Sequence, residues 1–210
     1  MIRALVIDDH RIVLRGIEQI LLRTPDIRIA GDGSTGKEAL ERAGKEEFDV
    51  VLLDISLPDR NGLEVLKILK ERHPKLPVLV LSMHPEEQYA VRALKAGAAG
   101  YLTKESAHAE LVEAIRRVVR GRKYVSAALA ERLAVEISPG GEGPPHSLLS
   151  DREYQVMILV GEGRKINDIA AALRLSPKTV TTYKARLLQK MGLEGTADLV
   201  RYMVEHDIRG

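Results

Sequence analysis

The sequence predicts an α/β fold, a five-stranded doubly wound parallel sheet, followed by a small all-α helix-turn-helix unit. Short uninterrupted apolar runs of strand length recur at residues 4–7, 50–53 and 78–81, with a weaker one at 100–102, and stretches of helical periodicity separate them. Alternation of β and α implies a parallel sheet, and runs free of polar interruption suit strands covered by helices on both faces. From residue 148 onward the strand-like runs give way to four helical patterns.

Each element follows from the local residues. Residues 27–30 supply a fifth, peripheral strand. The last helix of the first unit is expected over 106–120, where Leu111, Ala114, Ile115, Val118 and Val119 repeat at helical spacing and Gly121 ends it. A shorter helical pattern at 127–135 leads into Ser138-Pro139-Gly140-Gly141-Glu142-Gly143-Pro144-Pro145, a linker by composition. The expected organisation is a first domain over 1–121, a linker over 122–147 and a second domain over 148–210. Helices are expected in that second domain at 151–160, 166–173, 177–191 and 196–205.

Composition narrows the function classes. The formal net charge of +2 neither demands nor excludes nucleic acid, so the distribution of charge matters more than its sum. The absence of cysteine removes disulfides and thiolate metal sites. The apolar start ends at Asp8 and Asp9, too short for a signal peptide or membrane span, so a cytoplasmic protein without membrane contact is expected.

Three carboxylates stand at the ends of expected strands: Asp8 and Asp9 after the first, Asp54 after the third. In an open parallel sheet those ends gather at one edge, where ligands bind. Two unit charges about 4 Å apart repel by roughly 4 kcal/mol at an effective dielectric of about 20, so the cluster needs a shared proton or a cation. A hard divalent ion with oxygen ligands, Mg²⁺, suits such a site and would clamp a transferring phosphoryl group while one carboxylate attacks it. Ser82 and Lys104 each follow a strand directly. The lysine can balance charge on Asp54 and on phosphoryl oxygens, and the serine hydroxyl can hydrogen-bond one of them.

Asp8-Asp9, Asp54 with the following Ile55-Ser56-Leu57-Pro58-Asp59-Arg60-Asn61-Gly62, Ser82, and Tyr101 three residues before Lys104 together resemble the receiver domains of bacterial two-component response regulators. The resemblance covers roughly residues 3–121. It implies that Asp54 accepts a phosphoryl group from the phosphohistidine of a sensor histidine kinase. It further implies that Asp8, Asp9 and Asp54 hold Mg²⁺ with the Ser56 carbonyl, and that Tyr101 reports the state of Ser82. Glu105 stands where many receivers carry proline.

In the second domain, Ile169-Ala170-Ala171-Ala172-Leu173-Arg174-Leu175-Ser176-Pro177 closes one helix and opens the next almost at once. Ser176 is a good N-cap and Pro177 fits the first helical position. Val180, Leu187, Leu188 and Met191 face the core, with Tyr183 at its margin. Between Arg174 and Lys190 lie five basic residues and no acidic one. That stripe suits phosphate contacts, and short neighbours leave room to approach base edges. Lys178, Thr179, Thr181, Thr182, Lys184, Ala185 and Lys190 are the candidate contacts to double-stranded DNA.

Leu149-Ser150-Asp151-Arg152-Glu153, Gly163, Ile169-Ala170, Leu175 to Val180 and Lys190-Met191-Gly192 resemble the LuxR-type helix-turn-helix of the NarL and FixJ group. The resemblance implies a recognition helix in the major groove and a homodimer paired through Ala197, Val200 and Met203 of the final helix. Tyr183 stands where many relatives carry histidine.

The leading expectation is a transcription regulator gated by phosphorylation; a regulator that binds DNA or protein independently of phosphorylation is the alternative. A phosphatase with an aspartyl-phosphate intermediate would need a second carboxylate as general acid and base near Asp54, which Ile55-Ser56 does not supply. The chain is therefore expected not to be a turnover enzyme. The six histidines, His10 among them, are scattered without ligand spacing and are expected at surface or loop positions.

Overall fold

The computed structural model describes residues 1–126, 129–131, 144–206 and 208. The chain divides into two compact units, Met1–Leu133 and Ala134–Gly210.

In the first unit the order is β1 (Ile2–Ile7), α1 (Arg11–Leu21), β2 (Ile27–Gly33), α2 (Gly36–Lys45), β3 (Val50–Asp54), α3 (Gly62–Arg72), β4 (Val78–Ser82), α4 (Glu86–Lys95), β5 (Gly100–Thr103) and α5 (Ala107–Val119). The five strands are all parallel in the order β2-β1-β3-β4-β5. Every residue of β3 and β4 is buried, which is why those runs lack polar alternation. Ala4, Val6, Val50, Leu52, Leu79, Leu81 and Leu102 pack on one face against Ile17 and Leu21 of α1 and Leu111, Ala114, Ile115 and Val118 of α5. The alternate residues Leu5, Ile7, Val51, Leu53 and Val80 are equally buried on the other face.

Strand order reverses between β1 and β3, so their carboxyl ends flank the switch point. Register then sets the site. Ile7 pairs with Leu53, which places Asp8 beside Asp54. Asp54 pairs with Leu81, so Ser82 stands one residue further on, and Ser82 pairs with Thr103, so Lys104 stands one beyond that.

α5 ends near the expected point, with Gly121 at φ +78°. The next residues differ from the sequence reading of a linker beginning at 122. Tyr124 forms a parallel bridge with Gly100, and its N–H donates to the Ala99 carbonyl at 2.9 Å. The ladder on the free edge of β5 thus captures the first residues beyond the helix. Of the helical pattern at 127–135, residues 129–131 are helical; its remainder and residues 138–143 of the Gly-Pro linker lie outside the described residues.

The second unit opens with a 3₁₀ turn (Pro145–Leu148), followed by α6 (Asp151–Gly161), α7 (Ile166–Leu173), α8 (Pro177–Met191) and α9 (Thr196–Glu205). Ser150 and Glu153 form a reciprocal capping box at the start of α6. α7 ends on Arg174 in the left-handed conformation (φ +53°), which turns the chain sharply into α8, capped by Ser176. Val156, Met157, Ile158, Ile169, Val180, Leu187, Leu199 and Met203 are the buried centre. No helix among the described residues is long and apolar enough to cross a membrane.

Candidate functional site

The strand ends bring Asp8, Asp9, Asp54, Ser82 and Lys104 to one place. Asp54 is 1% exposed and Ser82 fully buried. The Lys104 ammonium sits 2.6 Å from Asp8 Oδ2 and 2.7 Å from Asp54 Oδ2. Backbone N–H groups fix the other carboxylate oxygens: Ser56 donates to Asp54 Oδ1 (3.1 Å) and His10 to Asp8 Oδ1 (2.8 Å). Burial pushes the Asp8 carboxyl above its usual range, and the adjacent Asp54 charge adds to this; the Lys104 and His10 bonds offset only part of it.

Three carboxylates against one ammonium leave two formal negative charges. The ligand atoms of Asp8, Asp9, His10 and Asp54 lie within 4.8 Å of one another. An oxygen-rich set with that excess charge fits a hard divalent cation. His10, read from sequence as a surface or loop residue unconnected to any ligand set, belongs to this cluster: its Nδ1 is 2.9 Å from Asp9 Oδ1 and 3.3 Å from Asp8 Oδ1. Its signal was its place directly after two aspartates, which spacing rules for histidine ligands do not weigh.

Ser82 Oγ accepts the His84 N–H at 3.0 Å, and its carbonyl accepts the Lys104 N–H at 2.7 Å. Tyr101 is fully buried and its hydroxyl donates to the His84 carbonyl at 2.9 Å. The β3–α3 connection is held by Asp59, whose carboxylate accepts the Gly36 and Lys37 N–H groups at 2.7 and 3.0 Å. Asn61 then caps α3 through Leu63 N–H. A Cβ at Gly62 would lie 2.2 Å from the Asp54 carbonyl oxygen.

In the second unit the residues on α8 do different jobs. Lys178, Thr179, Thr182, Tyr183 and Arg186 border one shallow hollow. The Thr181 and Thr182 hydroxyls donate back to the Pro177 and Lys178 carbonyls, leaving methyl groups as their main outward features. Thr181 and Ala185 are exposed and Lys184 half-buried. Arg186, exposed on the same face, was absent from the sequence-based contact set, although it belongs to the basic stripe. Lys190 departs from that set, because its ammonium pairs with the buried Glu153 at 2.7 Å, tying α8 to the α6 capping box.

Burial alone would raise the Glu153 carboxyl; the Lys190 bond and the Ser150 N–H together hold it below its usual value. Its contribution is therefore present above the unfolded carboxyl value and lost as pH falls through the depressed folded one. Lys190→Ala is expected to cost about 1–2 kcal/mol at neutral pH. Thermal melts of the variant and the parent should converge below the carboxylate range.

On α9, Ala197 and Val200, expected from the sequence in the pairing of two copies, are exposed. Met203 is not: it is 3% exposed, and it packs so closely on α6 that a Cβ on Gly161 would meet its sulfur at 2.4 Å. The next residue, Val204, is 75% exposed and continues the outward face.

A carboxylate cluster and lysine at the switch point of a parallel sheet, on one chain with a helix-turn-helix, define the class of response regulators. Residues 4–116 match the response regulator receiver domain and residues 147–203 the bacterial regulatory proteins of the luxR family, so the chain belongs to the response regulators that join these two modules. It is 35% identical over 209 residues to the response regulator UvrY of Escherichia coli (strain K12), covering 99% of this chain and 96% of that protein. It is 38% identical over 207 residues to the response regulator GacA of Pseudomonas viridiflava, covering 98% and 97%. Among solved structures it resembles RcsB from Salmonella enterica serovar Typhimurium bound to promoter rprA in the presence of phosphomimetic BeF3⁻, with TM-score 0.65, 26% identity and coverage of 97% and 99%.

Proposed function

We propose that this chain is a DNA-binding transcription regulator of the cytoplasm whose activity is set by phosphorylation of Asp54 by a partner histidine kinase. The observation that carries the reading is the strand register, which sets a buried Asp54 against Lys104 and next to Ser82. Asp54 Oδ attacks phosphorus, the O–P bond forms, and the P–N bond to the kinase histidine breaks. Lys104 then exchanges a carboxylate oxygen for a phosphoryl oxygen, and the Ser82 hydroxyl donates to another. Mg²⁺ would be held by Asp8, Asp9, Asp54 and the Ser56 carbonyl, and when bound it supplies neutralisation of phosphoryl charge. The Tyr101–His84 bond follows the position of Ser82. Ile55 and Ser56 bring no second carboxylate to Asp54, so the reading is of an acceptor and not a turnover enzyme.

The receiver domain runs through residue 121 and carries the 122–126 extension, and the DNA-binding domain occupies 148–210. On α8 the phosphate-contacting residues are Lys178, Lys184 and Arg186. Thr179, Thr181, Thr182 and Ala185 approach base edges, and Tyr183 lies between them. Ala197, Val200 and Val204 form the pairing face of a homodimer, with Met203 reassigned to the core. RcsB, solved on promoter DNA with BeF3⁻ and as two dimers on two parallel DNAs, supports the reading of a DNA-binding dimer.

The test is binding of an inverted-repeat DNA library at fixed salt, with and without a small phosphodonor and Mg²⁺, for wild type and Asp54→Ala. Tighter specific binding with donor, present only in the wild type, is expected. Equal binding in all samples would leave a regulator independent of phosphorylation.

Metal binding gives a second check. Asp8 must lose its proton to ligate, so Mg²⁺ affinity is expected to rise with pH through and above the ordinary carboxylate range. In the metal-free protein the raised Asp8 value makes its contribution to stability fall as pH climbs through that window, and Mg²⁺ reverses this. At about 100 times its Kd, Mg²⁺ should stabilise by ~2.7 kcal/mol. Melting with and without Mg²⁺ at two pH values measures both effects.

A further inference from the structure

We infer that the residues following α5 form a strap whose fastening to the start of α4 reports the state of Asp54, an inference that rests on reading Asp54 as the phosphoryl acceptor. The strap has a fixed half and a releasable half. Tyr124 belongs to the fixed half. Its N–H donates to the Ala99 carbonyl, it bridges to Gly100, and its hydroxyl donates to Glu110 of α5 at 2.6 Å. The Lys123 ammonium adds a bond to the Ala98 carbonyl. Gly100 is what permits this approach, since a Cβ there would lie 2.5 Å from the Tyr124 carbonyl oxygen.

Ser126 begins the releasable half. Its hydroxyl donates to the Glu86 carboxylate in the first turn of α4 and accepts the N–H of Leu129 at 3.1 Å. Leu129 is 2% exposed.

Glu86 is four residues from Ser82. The peptide of His84 between them is pinned twice, its N–H on Ser82 Oγ and its carbonyl on the Tyr101 hydroxyl. A hydroxyl carries one proton on a rotatable bond. Turning the Ser82 side chain about its Cα–Cβ bond, to bring that proton to a phosphoryl oxygen on Asp54, swings Oγ away from the His84 N–H and removes one of these pins. Residues 83–85 then shift and carry Glu86 with them. The Tyr124 fastenings lie on β5 and α5, outside that movement, so Ser126–Glu86 is the contact that breaks. The resting protein holds the strap closed; the phosphorylated protein opens it at the Ser126–Glu86 contact. Because the element has two arrangements biased by one site, it carries a coupling energy and not merely a path of contacts.

Hydrogen exchange read by mass spectrometry on the full chain with Mg²⁺, with and without acetyl phosphate, tests this, the intact mass of each sample reporting occupancy of Asp54. Phosphorylation is expected to speed exchange of the Leu129 amide about tenfold, as loss of one hydrogen bond to a charged group allows, while the Tyr124 amide stays slow. Glu86→Ala should show fast Leu129 exchange without acetyl phosphate, although Ser126 still caps that amide. Glu86→Gln keeps an acceptor and should behave as wild type. Full phosphorylation with unchanged Leu129 exchange overturns the strap and leaves the function standing, as does slow Leu129 exchange in Glu86→Ala. A wild type that takes up no phosphate on Asp54 overturns both.

Discussion

Lys104→Ala is expected to destabilise the metal-free receiver by roughly 3–5 kcal/mol at neutral pH, because it strands two buried carboxylates without their counter-charge. The ammonium touches both Asp8 and Asp54 and is 5% exposed, so water cannot replace it cheaply. The loss should shrink as pH falls and the carboxylates protonate. It should also shrink when Mg²⁺ is added, since the cluster then offers three formal negative charges where it offered two. Urea unfolding at two pH values, each with and without Mg²⁺, distinguishes this from a packing defect, which would respond to neither. Phosphorylation of the rescued protein should leave DNA affinity little changed, because the lysine that grips the phosphoryl group is gone.

Gly62→Ala is expected to cost roughly 3 kcal/mol or more, through overpacking against backbone. The added carbon would lie 2.2 Å from the Asp54 carbonyl oxygen and 2.6 Å from Ile55 Cα, and neither belongs to a flexible side chain that can step aside. Either α3 withdraws or the end of β3 moves, and Asp54 is that end. The variant should therefore lose phosphoryl acceptance together with stability. Gly121→Ala is the contrast. Its position has φ +78° and open space around it, so about 1 kcal/mol of backbone strain is the whole expected effect, with phosphorylation intact. Unfolding midpoints and phosphate uptake for the pair check both halves.

What was legible in the sequence divides along physical lines. The strands were legible because β3 and β4 are buried on both faces, and Asp54 and Ser82 because they close those strands. The helices of the second unit were legible from their caps, Ser150 and Ser176, and from apolar spacing. Contacts between distant segments were not. Lys190 reads as one more cation on a basic helix until Glu153, 37 residues away, is seen beneath it. Asp59 reads as a turn former, yet its carboxylate holds the first turn of α2. Met203 and Val204 are adjacent apolar residues, and only the close approach at Gly161 decides which one turns inward. Tyr124 left no strand signal because a single bridging residue makes no run.

The one-residue steps from Asp54 to Ser82 to Lys104 place a constraint on how chains of this design can vary. Side chains alternate between faces along a strand, so inserting or deleting one residue inside β3, β4 or β5 would turn a member of the site to the wrong side of the sheet. Beyond the residues directly after each strand, which carry Asp8, Asp9, Ser56 and Lys104, the connecting segments are under no such rule, since a longer helix or loop returns the next strand in the same phase. Length is free in those outer segments and forbidden within the strands. The reading frame of the strands, more than the identity of their apolar residues, is what a recombined or redesigned version of this domain would have to preserve.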